Sequence, residues 1–366
     1  MKIEVIKEKL LEAISQAEHI SGKHVSLPVL SSVVIDALED SVTIKATNLD
    51  VGIELSVPAK VSESGTVALS GALLKAFLVN APQGKNIVCE TNGGLCRVVT
   101  SQGEASFNTL SAEDFPVIPK VTEGKSFSIP AKDLVLGLKS VVWSASVSTI
   151  KPELGSVYVF EENEDMVFVA TDSFRLAEKR VKVKKVKGID PILIPFKNAL
   201  EIVRVFDGAS YDLDITISQN QLSIIASGIH LSSRVIDGNF PDYRQIIPKE
   251  FVTKATILKQ DLAQVLKLGS LFSDSFNQIV INIKPQDKLV EFHTKNSEVG
   301  ESKQQVKGSV EGDEVSMPFN HRYILDCLQS IESESVILKI AGQSKPMIIS
   351  PSNSNSFTYL VMSMNR

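Results

Sequence analysis

At 366 residues the chain is long enough for two or three domains, and a 43% apolar content supplies a core for each. A formal net charge of −5 argues against a protein that coats nucleic acid over its whole surface. No run of about 18 apolar residues is present to span a membrane, the N-terminus Met1-Lys2-Ile3-Glu4 is too charged for a signal peptide, and three cysteines are too few for a disulfide framework. The expected compartment is the cytoplasm, with no membrane partner.

The chain opens with a strand-like run at Ile3-Glu4-Val5, followed by a helical stripe of Leu10, Leu11, Ile14 and Ala17. β-Branched runs at Val33-Val34-Ile35 and Val42-Thr43-Ile44 read as strands. They lead to a landmark, Ala46-Thr47-Asn48-Leu49-Asp50-Val51. Val67-Ala68-Leu69-Ser70 then precedes a second helical pattern with Leu73, Leu74 and Phe77. Cys89 and Cys96 flank an Asn92-Gly93 turn, which is expected to set them opposite each other in a hairpin. In a reducing compartment both read as small apolar side chains rather than a disulfide, and no nearby His or Cys completes a metal site. Phe115-Pro116 and Ile118-Pro119 open a linker over residues 116–124.

The same order then repeats. Phe127-Ser128-Ile129 leads into Leu134, Leu138, Val141 and Val142, and the landmark returns 124 residues on as Ala170-Thr171-Asp172-Ser173-Phe174-Arg175. Ile192-Leu193-Ile194-Pro195 precedes Ala199, Leu200, Val203 and Phe206; strands follow at 215–217 and 222–225. Phe240-Pro241 and Ile247-Pro248 lead into a second linker, residues 248–254. A third round runs from Ala255-Thr256-Ile257 through Leu262, Val265, Leu266 and Gly269 to an eroded landmark, Thr294-Lys295-Asn296-Ser297-Glu298-Val299. Val315-Ser316-Met317-Pro318 then precedes Ile324, Leu325 and Leu328. Landmarks recur at steps of 123 to 125, so the chain reads as one α+β unit used three times. The expected domains are 1–120, 126–250 and 251–366, each with two helices laying an apolar stripe on antiparallel sheet. Tandem copies of a whole domain build a surface or an enclosure more readily than a single catalytic pocket.

Charge is distributed unevenly. The six helical segments 7–20, 70–80, 130–143, 195–206, 258–268 and 318–329 sum to +3, leaving −8 on the rest of the chain. That sign suits helices facing phosphates, although any single exposed Lys reads equally well as solvated helix surface. Catalytic patterns are thin. Gly124-Lys125-Ser126 lacks the upstream Gly of a phosphate-binding loop, with Pro119 standing in its place. The five histidines have neither metal spacing nor a nucleophile motif beside them. Asp172 near Arg175 reads as an ion pair or turn cap before it reads as acid–base chemistry.

Several motifs together carry a family resemblance. Ala170-Thr171-Asp172-Ser173-Phe174-Arg175-Leu176-Ala177 resembles the Ala-Thr-Asp-Gly-His-Arg-Leu-Ala signature of bacterial sliding clamps, the beta subunit of DNA polymerase III. The segment Asp237-Gly238-Asn239-Phe240-Pro241-Asp242-Tyr243-Arg244 resembles a second signature, as do Ser26-Leu27-Pro28-Val29-Leu30-Ser31 and the closing Tyr359-Leu360-Val361-Met362-Ser363-Met364. The resemblance implies a DNA-clamp fold in a head-to-tail homodimeric ring, with helices lining a pore around duplex DNA and strands forming the rim. It implies no catalysis and no cofactor or metal. The implied partners are duplex DNA held without sequence preference, the replicative polymerase catalytic subunit, an ATP-dependent clamp loader, and other replication and repair proteins.

Carried over residue by residue, the resemblance implies a partner-peptide cleft of Leu154, Thr171, Ser173, Phe174, Arg175, Leu176, Pro241, Ile246, Asn320, Tyr323, Leu360, Met362 and Met364. The chain departs from the family pattern at Ser173 for Gly, Phe174 for His, Gln245 for a common Arg and Ser363 for Pro, all of which bear on pocket shape. Lys23, His24, Lys75, Lys151, Lys197 and Arg204 are the candidates for DNA contact. For a dimer seam the candidates are Phe107 facing Leu271 and Phe272, with Arg97 pairing to Glu298 and Glu301. Two readings compete with a processivity clamp: a repeat-built scaffold that binds only protein, and an enzyme with Asp172 and Arg175 in a site between repeats.

Overall fold

The computed structural model describes all residues except 23–26, 40, 85, 149, 184–187 and 365–366. Six α-helices occur among the described residues: α1 (Lys7–Ile20), α2 (Gly71–Asn80), α3 (Ala131–Val141), α4 (Phe196–Phe206), α5 (Lys259–Ser270) and α6 (His321–Leu328). Each follows a strand directly or after one residue, so a strand and a helix form the recurring half of every repeat. In α1, apolar residues at three- and four-residue spacing bury Leu10, Ala13, Ile14, Ala17 and Ile20. The start of α2 is fixed by Ser70, whose hydroxyl accepts from the Leu73 amide, and that of α6 by Asn320, which accepts from the amides of Arg322 and Tyr323.

The chain forms two compact units, residues 1–135 with 197–235, and residues 136–196 with 236–366. The middle repeat is therefore divided between them, because the sheets run on past the repeat boundaries. In the first unit twelve antiparallel strands follow one another in the order Lys2–Ile6, Asn86–Asn92, Leu95–Thr100, Gly103–Leu110, Gly65–Leu69, Val33–Leu38, Ser41–Thr47, Val51–Glu63, Ile229–Arg234, Gln221–Ala226, Asp212–Ile217 and Lys125–Pro130. Lys2–Ile6 also pairs with Val51–Glu63, which closes the first eight strands into a cycle. The joint between repeats is the pairing of Val51–Glu63 with Ile229–Arg234, from Val51 opposite Ser233 to Leu55 opposite Ile229.

The second unit holds a nine-stranded sheet and a four-stranded one. Its joint between repeats has the same construction: Arg175–Lys182 pairs with Phe357–Val361, from Arg175 opposite Val361 to Lys179 opposite Phe357. In both joints the strand that leaves the landmark turn pairs with the last strand of the following repeat. In the third repeat the strand leaving that turn, Gly300–Lys307, is an edge strand of the four-stranded sheet, whose order is Gly300–Lys307, Leu289–Asn296, Gln278–Lys284 and Val315–Asn320.

The cysteine expectation needs correction. Register in the hairpin sets Cys96 opposite Thr91 and Cys89 opposite Val98, so the two thiols are not cross-strand partners. The turn is centred on Gly93 and Gly94, which fixes a register two residues away from the one that would align them. Both cysteines are free and buried, and burial pushes the Cys96 thiol up to about 11.

Candidate functional site in the middle repeat

The landmark is a tight hairpin turn built twice to one plan. In the first copy Thr47 Oγ1 donates to the Val51 carbonyl at 2.8 Å and accepts from the Leu49 amide, while Asn48 Oδ1 accepts from the amides of Asp50 and Val51. In the middle copy Thr171 Oγ1 donates to the Arg175 carbonyl at 2.6 Å and accepts from Ser173, while Asp172 Oδ1 accepts from Phe174 and Arg175. Leu49 and Ser173, at the same step, have left-handed φ of 76° and 78°. In the third copy Asn296 keeps one such bond, from the Glu298 amide. Lys295 stands at the Thr position, Thr294 before it donates from Oγ1 to the Gly269 carbonyl, and Asn296 pairs with Gly300, leaving the turn one residue longer.

The middle copy adds charge and aromatic packing to this scaffold. Arg175, with its side chain 12% exposed, donates from Nε to Asp172 Oδ2 at 2.9 Å and from Nη1 to Asp326 Oδ2 of α6 at 2.6 Å. Its guanidinium carbon lies 4.4 Å from the Tyr323 ring centroid and 5.5 Å from that of Trp143. Tyr359 packs its ring 5.2 Å from Trp143 and donates its hydroxyl to the Tyr323 carbonyl at 2.8 Å. The turn and α6 are thus held to one cation, and Asp172 serves as both turn cap and ion-pair partner.

Segment 236–252 runs over one face of the nine-stranded sheet. Tyr243, Phe240, Ile247 and Phe251 pack there on Val167, Val169, Leu176, Ile348 and Leu360. Tyr158 and Phe240 stack with centroids 4.8 Å apart. Beneath the segment Tyr243 donates to Glu178 Oε2 at 2.5 Å, and burial followed by that carboxylate pushes the phenol up. Arg180 joins Glu178 to Glu162, and Glu162 in turn holds Arg244 of the segment at 2.7 Å.

Among the expected cleft residues, Leu154, Thr171, Leu176 and Leu360 are buried. Phe174, Ile246 and Met362 are exposed at 62%, 48% and 36%. The Met362 amide donates to the Phe174 carbonyl, and the Met364 amide to the Pro318 carbonyl. Pro241 and Ser173 are exposed; Asn320, Tyr323 and Met364 are half-buried. All thirteen belong to the second unit. Trp143, Asp326 and Tyr243 were not expected at this site. The available signals were the sole tryptophan and the place of Tyr243 in the second signature; the contacts themselves join residues far apart in the chain.

Of the expected DNA contacts, Lys23 and His24 lie outside the described residues. Lys151 and Lys197 are exposed. Lys75 is paired to Glu18 of α1 at 3.2 Å, and Arg204 is held by both oxygens of Glu201 on its own helix. Several of the expected seam residues have neighbours within the chain. Arg97 pairs with Glu104 on the adjacent strand, and Glu301 lies 3.3 Å from His293. Phe107 is 4% exposed and meets Phe77 edge-on, so the apolar surface there belongs to Leu73 at 57%. Leu271 is 70% exposed and Phe272 half-buried. Leu268, at 40%, extends that patch.

Three repeats of paired strand–helix units on antiparallel sheet, joined strand to strand across repeat boundaries, define a DNA-clamp fold. The family model of the DNA polymerase III beta subunit N-terminal domain matches residues 1–119, that of its central domain 128–242 and that of its C-terminal domain 244–365. The chain belongs to that family, the bacterial sliding clamps, which are processivity factors rather than enzymes. It is 27% identical over 349 residues to the beta sliding clamp of Staphylococcus aureus, covering 92% of each chain. It is 25% identical over 373 residues to that of Staphylococcus epidermidis, covering 99% of this chain and 98% of the other. The fold matches the crystal structure of the sliding clamp from Bacillus subtilis with a TM-score of 0.93 at 23% identity, over 100% of this chain and 99% of that one. The beta subunit of Thermotoga maritima DNA polymerase III gives 0.94 at 22% identity, with the same coverage.

Proposed function

We propose that the chain works as a head-to-tail homodimeric ring around duplex DNA, tethering the replicative polymerase through the cleft beside the middle landmark turn. The observation that carries this reading is a pair of open strand edges. Each landmark strand of the first two repeats is closed by the last strand of the next repeat. The third landmark strand, Gly300–Lys307, lies at a sheet edge. The last strand of the first repeat, Gly103–Leu110, is bonded on one side along its length but on the other only at Thr109 and Leu110. A third joint of the same kind forms if Gly300–Lys307 of one protomer receives Gly103–Leu110 of another, and two such joints close a ring of six repeats.

Apolar surface flanks both edges, Leu73 near the first and Leu268, Leu271 and Phe272 near the second. On assembly Arg97 exchanges Glu104 for Glu298 or Glu301 of the other protomer. Sedimentation equilibrium tests the seam: the wild-type chain is expected as a dimer at micromolar concentration and Leu271→Asp as a monomer. A monomeric wild type would contradict it.

In this reading Lys151, Lys197 and Arg204, with Lys75, Lys23 and His24, give weak contacts to phosphate, and ring closure supplies residence time. Arg204 and Lys75 must exchange an internal carboxylate for phosphate. An ATP-dependent loader opens the ring, and the work is done in the cytoplasm. The apolar rim of Phe174, Ile246 and Met362, with Met364 behind it, suits short apolar peptides from several partners, because methionine repacks readily. Phe174→Ala combined with Met362→Ala is expected to weaken peptide binding by roughly 10- to 100-fold, equal to about 1.4–2.8 kcal/mol, while leaving thermal stability unchanged. Isothermal titration of the full chain measures it.

A further inference from the structure

We infer that Asp326 is a positioning residue of the partner cleft, acting through Arg175 and reported by Trp143; this rests on the cleft reading above. Asp172 alone already supplies the charge that neutralises Arg175, and it lies three residues away in the same turn. The second carboxylate comes from a different element, 151 residues on, and is itself 41% exposed. Its 2.6 Å bond from Nη1, set against the 2.9 Å bond from Nε to Asp172, leaves the guanidinium plane one orientation. A fork with two acceptors fixes direction as well as charge.

That plane is the surface on which Tyr323 rests, 4.4 Å from the guanidinium carbon, with Trp143 at 5.5 Å. Tyr323 is one turn from Asp326 on α6, so carboxylate and ring reach the same guanidinium from one helix face. The opposite end of the arrangement is anchored by the Tyr359 hydroxyl on the Tyr323 carbonyl. Arg175 thereby sets the position of a cleft residue relative to the turn that carries Phe174. Without Asp326 the guanidinium can rotate about its remaining bond to Asp172, and Tyr323 loses its fixed seat.

Trp143 is the only tryptophan in the chain. Its emission therefore responds to the Arg175 guanidinium, together with the Ser330 hydroxyl it bonds and the Tyr359 ring beside it. The probe is a panel of dye-labelled apolar octapeptides bearing leucine and phenylalanine, with the tightest binder to the full-length wild-type chain carried forward. Asp326→Asn is expected to weaken that peptide by about 5- to 20-fold and to shift Trp143 emission, with the melting temperature kept. Asp326→Glu should recover most of the affinity. Because Asp326 acts through Arg175, the loss in Asp326→Asn combined with Arg175→Met should match that of Arg175→Met alone. Affinity within twofold of wild type for Asp326→Asn, or losses that multiply in the double variant, would overturn the inference while leaving the cleft in place. Absence of any peptide binding by the wild-type chain would overturn the cleft reading and this inference with it.

Discussion

Leu49 and Ser173 occupy the left-handed region because the Thr and Asn/Asp side chains of their turns bind the surrounding backbone and leave no other path. A side chain with Cβ is strained there, and Leu more than Ser. Leu49→Gly is therefore expected to stabilise the chain by roughly 0.5–1 kcal/mol, the strain relieved exceeding the added freedom of the unfolded glycine. Chemical denaturation measures it; destabilisation would mean that Leu49 packing outweighs backbone strain.

A second residue-scale prediction concerns Glu54, opposite His230 at the joint between the first two repeats. The His230 hydrogen bond and the Lys120 ammonium hold the Glu54 carboxyl down at about 2, against the opposing effect of burial. A depressed carboxylate stabilises the fold above its unfolded value of 4.5 and loses that contribution as pH falls towards 2. At neutral pH the contribution is at most roughly 3 kcal/mol. Glu54→Gln should flatten the acid limb of the stability–pH curve between those values, as followed by urea unfolding. The Thr-Asn and Thr-Asp landmarks were legible because the whole motif is local. Asp326 and His230 were not, since their partners are brought near only by strand pairing and by α6.

Among the elements, the helices were the most readable, because apolar spacing and the strand before each helix repeat six times. Their packing against sheet was not visible from pattern alone. At Gly137 of α3 a Cβ would run into the Phe168 ring, a contact that neither residue advertises. Gly137→Ala should cost about 1–3 kcal/mol by overpacking, despite the better helix propensity of alanine. A neutral or stabilising result by thermal melting would show that α3 can shift away from the strand. Segment 236–252 is a similar case. Only its end, from residue 248, reads as a linker, whereas the structure packs Phe251 of that stretch on the sheet beside Phe240, Tyr243 and Ile247. Exposed Ile246 beside buried Tyr243 gives the segment one face for the core and one for the rim.

For the whole molecule, the sequence period counts three repeats while the contacts form two units. Both descriptions hold, because each repeat passes a strand pairing to the next. Periodicity in sequence reports the repeated local code, and that code carries no direct sign of which edge meets which. The distinction makes the open edges at Gly103–Leu110 and Gly300–Lys307 informative, since in the proposed ring they meet in a joint of the kind made twice within the chain. Closure by a second copy has a consequence that simple DNA affinity lacks: retention must depend on the topology of the DNA. The most direct measurement loads the chain onto a nicked circular plasmid with the proposed ATP-dependent loader, then follows co-elution by gel filtration in high salt. The ring predicts that protein stays with the circle, and that a single cut which linearises the plasmid releases it. Equal retention on circular and linear DNA, or loss from both in salt, would contradict encirclement.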